Sequence, residues 1–125
     1  MSVPASAREQ STDEIYRLVC AAAVQHRPIT ALYDGTRRFL CPHVLGYNRP
    51  GDWRVFCYQY GGETNRGPLP TGGEGIWRCL SLQKLSEVEL LDNPWQTEPH
   101  ARQRCVENIE VDAEDHPGGD PQNGQ

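Results

Sequence analysis

In the stretch "ITALYDGTRRFLC", residues 29–41, two short strand-like runs, "ITALY" and "TRRFLC", flank Asp34-Gly35. An Asp-Gly pair between such runs is the strongest short-range hairpin signal, because both central residues of the favoured turn take positive φ. The reading works outward from this hairpin. Upstream, "STDEIYRLVCAAAVQHRP" (11–28) predicts a helix: Ser11 and Glu14 form an S-x-x-E capping box, Ile15, Leu18, Val19 and Ala22 mark one apolar stripe, and Pro28 closes it. Downstream, Pro50-Gly51 suits the centre of a type II turn, and "WRVFCYQY" (53–60) is rich in aromatic and β-branched residues. A Gly- and Pro-rich loop runs from Gly61 to about Gly75, followed by "IWRCLSL" (76–82) and "SEVELL" (86–91). One helix and about five short strands are too few elements for a sandwich and the right number for a small barrel. The expected fold class is therefore α+β, mainly β, with the N-terminal helix packed on a small five-stranded barrel.

Length and charge bound the rest. A chain of 125 residues predicts one domain. Residues 1–10 read as a flexible polar lead, 11–111 as the domain and 112–125 as a disordered acidic tail; residues 94–111 add a turn or a short helix begun near Pro99. The net charge of −5 is uneven, since six acidic residues and no Lys or Arg follow Glu107 inclusive, leaving the body near neutral. A balanced body lacks the field of an indiscriminate duplex-DNA binder, and a single short helix cannot make a helix-turn-helix. Lys84 is the one lysine among 12 basic residues. The arginines offer planar forks suited to carboxylates and phosphates.

Five cysteines (Cys20, Cys41, Cys57, Cys79, Cys105) stand far apart without a C-x-x-C pair. Their odd count, and the lack of an apolar signal at the start, predict reduced thiols in a cytoplasmic protein, packed as small hydrophobes. Cys41 and His43 form a close Cys/His pair with no second pair to complete a zinc set, so no metal and no cofactor is expected. No apolar run approaches the ~20 residues of a membrane span. Cys41 and His43 also lack a nearby acid to orient them as nucleophile and base, and the expectation is that the chain is not an enzyme.

The candidate binding residues come from strand faces. Ile76, Arg78, Leu80 and Leu82 share one face, more aliphatic than that of Trp77, Cys79 and Ser81. That face should point inward and carry Arg78 with it. A buried charge without a partner is very costly, so Arg78 either sits at the barrel mouth and meets an anion or, if a bulge shifts the phase, reaches solvent. Arg37 shares a face with Phe39 and Cys41 and poses the same question, whereas Arg38, opposite, reads as solvated. His43, after Pro42 near a strand end, either donates to a phosphate or caps backbone groups. Trp53 either stacks on a base or packs as the first residue of a core strand. Trp77 and Trp95 read as packing residues.

The run "ITALYDGTRRFLCPHVLGYNRPGDWRVFCYQYGG" followed by "WRCLSLQKLSEVELLD" resembles a WYL domain over about residues 15–95. Pro42-His43-Val44-Leu45 resembles the family's PH-x-L segment, and Trp53 holds the Trp of the name tripeptide, with Arg54-Val55 in place of Tyr-Leu. Arg78, Leu80 and Leu82 fit the family's arginine strand, with Gln83-Lys84-Leu85 where Asp-Arg-Ile is usual. The resemblance implies an Sm-like, SH3-type barrel and a free-standing, non-catalytic sensing or regulatory module. Its ligand would be a small anion, a nucleotide or single-stranded nucleic acid, and it would act on a partner protein without a duplex-DNA-binding domain of its own. Arg78, His43, Arg37 and Trp53 are the expected ligand-binding residues. The alternative is a protein–protein adaptor that has lost the pocket.

Overall fold

The computed structural model describes residues 10–64, 66–69 and 75–116. Residues 1–9 of the expected lead, residues 65 and 70–74 of the expected loop and the tail from residue 117 lie outside the described residues. Helix α1 spans Thr12–Gln25. Ser11 keeps extended backbone and its Oγ accepts from the Glu14 N–H at 3.0 Å, which satisfies one of the orphan donors of the first turn. Ile15, Val19, Ala22 and Ala23 form the buried stripe. His26, in the left-handed region at φ 54°, ends the helix two residues before Pro28.

Seven strands follow among the described residues: β1 Ile29–Tyr33, β2 Thr36–Arg49, β3 Asp52–Thr64, β4 Gly67–Pro68, β5 Ile76–Ser81, β6 Leu85–Leu90 and β7 Asn108–Asp112. Half of the described residues are in strands. Asp34 and Gly35 both take positive φ (53° and 77°) and set Tyr33 opposite Thr36, as a two-residue hairpin turn requires. Gly51 at φ 80° closes the β2–β3 hairpin. All pairings are antiparallel, in the order β4-β3-β2-β1-β6, with β5 also on β3 and β7 also on β2. Along one edge, β2 pairs first with β1 (residues 36–40) and then with β7 (residues 44–47). Register shifts in the β2–β3 ladder at Phe39/Leu40, Pro42/Val44 and Tyr47/Arg49 bend the long strands, and the sheet curls into a half-barrel.

Inside the curl, Ile15, Val19 and Ala22 of α1 meet Ile29, Leu40, Leu45, Val55, Leu80, Leu82 and Val88. Fully burying one such aliphatic side chain contributes about 1.5–3 kcal/mol, so this layer holds helix to sheet. A second cluster lies on the outer face, where Val44, Phe56, Cys105 and Val106 pack with Trp77.

The structure departs from the sequence reading in three places. Strand β2 continues through Pro42, because the neighbouring bulge absorbs the missing donor. Residues 94–111 contain no helix: an extended segment crosses the outer face and Asn108–Asp112 adds a strand to β2. The cysteines are not all reduced, since Cys79 and Cys105 are disulfide-bonded with Cα atoms 5.5 Å apart, leaving Cys20, Cys41 and Cys57 free. Spacing in the sequence held no sign of that bond, because it depends on the crossing segment.

Candidate functional site

Strand pairing sorts the candidate residues onto two faces. Residues directly opposite each other in neighbouring strands share a side of the sheet, and successive residues alternate. Arg78 is opposite Cys57, which is buried in the core, and lies two residues before buried Leu80. It is therefore on the inner face, as its aliphatic neighbours predicted, and half-buried. Among the described residues Arg78 forms no ion pair.

The second inner-face arginine is Arg38, not Arg37. Arg38 is opposite Ala31 and fully buried (0% exposed), which overturns its reading as a solvated residue. Its Nε donates to Thr36 Oγ1 at 3.0 Å, one Nη donates to the Tyr33 carbonyl at 3.4 Å, and its guanidinium carbon lies 5.3 Å from the centre of the Tyr33 ring. Burial lowers the Arg38 pKa, and the nearby Arg78 charge lowers it further, against the opposing effect of Asp34, Tyr33 and Glu63. Between the two arginines runs β3, whose Gln59 is opposite both Leu40 and Ile76 and fully buried. Gln59 Nε2 donates to the carbonyls of Gly61 and Glu63 at 3.0 and 2.9 Å, while its Oε1 is buried with no donor to accept from among the described residues. Two guanidiniums and an amide oxygen thus share one side of three adjacent strands.

His43 does not join them. It sits at the Pro42/Val44 bulge and turns outward, its ring centre 4.7 Å from Trp77 and 4.8 Å from Trp95. Trp77 directly precedes Arg78 on β5, so the two side chains point to opposite sides of the sheet. The expected single patch of Arg78, His43 and Arg37 is therefore not assembled. His43 Nδ1 is 2.7 Å from the Cys41 carbonyl and Nε2 is 2.9 Å from Thr97 Oγ1, so Nδ1–H donates to the carbonyl and the hydroxyl donates to Nε2. Burial, the dominant cause, pushes its pKa down to about 4 and keeps the ring neutral. Arg37 points the other way, and its Nη donates to Glu87 Oε1 at 2.9 Å in a part-exposed pair. Trp53 packs between Tyr16 of α1 and Tyr47 of β2, each ring 5.2 Å away, and serves the core.

A cleft of about 690 Å3 opens beside His43 and His100, but its rim sets Arg102 and Arg104 against Glu107, Asp112 and Glu114. Burial holds the Cys41 thiol up at about 11, so Cys41 and His43 pair a protonated thiol with a neutral ring that already has two partners. Among the described residues no group of three or more His, Cys, Asp or Glu side chains could hold a metal ion. Nor is any described helix long and apolar enough to cross a membrane.

The signal that finds Arg38 was present in the sequence. A two-residue Asp34-Gly35 loop sets Ala31 opposite Arg38, and Ile29, Ala31 and Tyr33 form the apolar side of β1. Gln59 follows likewise from its alternation with Val55 and Cys57. Compared with known proteins, the chain matches no family model, no curated protein and no solved structure.

Proposed function

We propose that the chain is a non-catalytic sensing module that takes a small anionic ligand, a nucleotide or a short single strand of nucleic acid, on the inner face of its half-barrel. Arg78 is the primary contact, with Arg38 and Gln59 beside it. The observation that carries the reading is the half-buried guanidinium of Arg78, which has no ion pair among the described residues and lies close to a second, fully buried arginine on a face lined mainly by aliphatic residues. Like charges brought together out of water destabilise each other, and an anion between them reverses the sign of that interaction. The free Gln59 oxygen adds an acceptor for a ligand N–H or O–H. The order β6-β1-β2-β3-β5, the 3-10 turn Leu82–Lys84 joining β5 to β6 and the helix ahead of β1 support an SH3- or Sm-type barrel reading.

A thermal-shift series with nucleotides and short single-stranded oligonucleotides tests the proposal. A ligand at a hundredfold excess over Kd stabilises the native state by about 2.7 kcal/mol. Arg78→Ala should weaken the responding ligand by about 1.5–3 kcal/mol, and Arg78→Lys should recover only part of it, because the planar fork is lost. No shift with any anionic ligand would favour the adaptor reading. In this proposal the module works in the cytosol, where a disulfide such as Cys79–Cys105 is expected to be transient and redox-active rather than permanent.

A further inference from the structure

Residues 91–107, seventeen in all, connect β6 to β7 without a helix or strand. Connections of this length inside a compact domain are uncommon and usually functional. This one is a strap over the outer face. Trp95, His100, Cys105 and Val106 cover Val44, Phe56, Trp77 and His43. Its first half is pinned by the Leu91 N–H to the Pro28 carbonyl, by Arg27 to Asp92, and by Thr97 to His43. Its second half depends on the Cys79–Cys105 bond and on Asn48, whose side chain donates to the Cys105 carbonyl and accepts from the Glu107 N–H. Cys79 is exposed on β5, whereas Cys105, on the strap itself, is buried.

We propose that the Cys79–Cys105 bond is a redox clasp: a dithiol reductant opens it, frees the second half of the strap and uncovers the patch formed by Phe56, Trp77 and Val44. The geometry selects the order of events. A thiolate of the reductant attacks the accessible Cys79 sulfur, forming a mixed disulfide and expelling Cys105 as a thiolate, which takes a proton from solvent. The reductant's second thiol, losing its proton, then attacks its own sulfur in the mixed disulfide, releasing Cys79 as a thiol and leaving the reductant as a disulfide. Two electrons pass from the dithiol to the protein. Cys41 and Cys57, both buried, take no part.

The test treats the full chain with dithiothreitol under native conditions, alkylates the accessible thiols and follows amide exchange by mass spectrometry. The clasp predicts that Cys79 and Cys105 become alkylated while Cys41 and Cys57 remain protected. Exchange across 98–107 should rise at least tenfold, β1–β3 should be unchanged, and reoxidation should restore the original rates. Cys79→Ser should reproduce the reduced pattern without reductant; should that variant not fold, reduction of the wild-type chain decides alone. Three results would overturn the proposal: a bond that native dithiothreitol cannot open, exchange in 98–107 that ignores reduction, or a rise shared equally by β1–β3, which would make the bond a staple of the whole fold.

Discussion

Gly46 of β2 and Asn108 of β7 approach so closely that no side chain fits between them. A Cβ on Gly46 would overlap the Asn108 carbonyl oxygen and come within 2.6 Å of Val106 Cγ1. The Asn108 side chain closes the same contact from the other side, donating to the Tyr47 carbonyl at 2.9 Å. Gly46→Ala should therefore lift β7 and the end of the strap, costing about 1–3 kcal/mol of stability, as overpacking generally does. Urea denaturation measures the loss, and amide exchange should locate it at residues 106–112.

His43 makes stability fall as the solution is acidified. The folded state holds its pKa near 4, against 6.5 for an ordinary histidine, so below about pH 6.5 the unfolded chain binds a proton that the folded chain refuses. The stabilisation is complete above that pH and is lost progressively down to pH 4, by an amount on the order of 3 kcal/mol. His26 and His100 act in the same direction on His43, and Asp112 opposes them. Urea midpoints measured between pH 7 and 4 should show the decline, and His43→Asn, although less stable at pH 7, should flatten it.

Gln10 acts as a substitute strand residue for β6. Its Nε2 donates to the Val88 carbonyl at 3.0 Å and its Oε1 accepts from the Val88 N–H at 2.8 Å. The β1–β6 register shifts between Thr30 and Leu32, and that irregularity leaves the Val88 backbone groups for Gln10 to bond. Gln10→Ala should cost about 1–3 kcal/mol, the usual effect of leaving buried polar groups unpaired. Gln10→Glu should recover only the bond from the N–H. Thermal denaturation of the two variants checks both statements.

Arg37 and Arg78 should separate cleanly. Arg37 makes a part-exposed pair with Glu87, whose φ of 50° lies in the left-handed region. Arg37→Ala should cost at most about 1 kcal/mol and leave the response to nucleotides unchanged. Arg78→Ala should do the reverse, weakening that response by about 1.5–3 kcal/mol of affinity with little loss of folding stability, or even a gain. Paired thermal shifts with and without ligand measure both quantities for each variant.

Local chemistry in the chain was enough to place the helix cap at Ser11, the turns at Asp34-Gly35 and Pro50-Gly51, the main strands and the inward direction of Arg78. Each of these depends on neighbours a few residues away, where backbone preference and side-chain period act directly. Tertiary structure decided the rest. Leu40 and Cys41, adjacent on β2, are both fully buried, because the half-barrel core covers one face and the strap covers the other. A strand covered on both sides has no polar face to reveal its phase, so period alone put Arg37 inward and Arg38 outward, and only the hairpin register set by Asp34-Gly35, which places Arg38 opposite Ala31, carried the right phase in the sequence. His43 fell on the face opposite Arg78 because it alternates with inward Leu40 and Pro42, and the bulge that follows sets Val44 on the same outer side. The Cys79–Cys105 bond and strand β7 exist only because residues 91–107 cross back over the sheet, a long-range contact that no local pattern encodes.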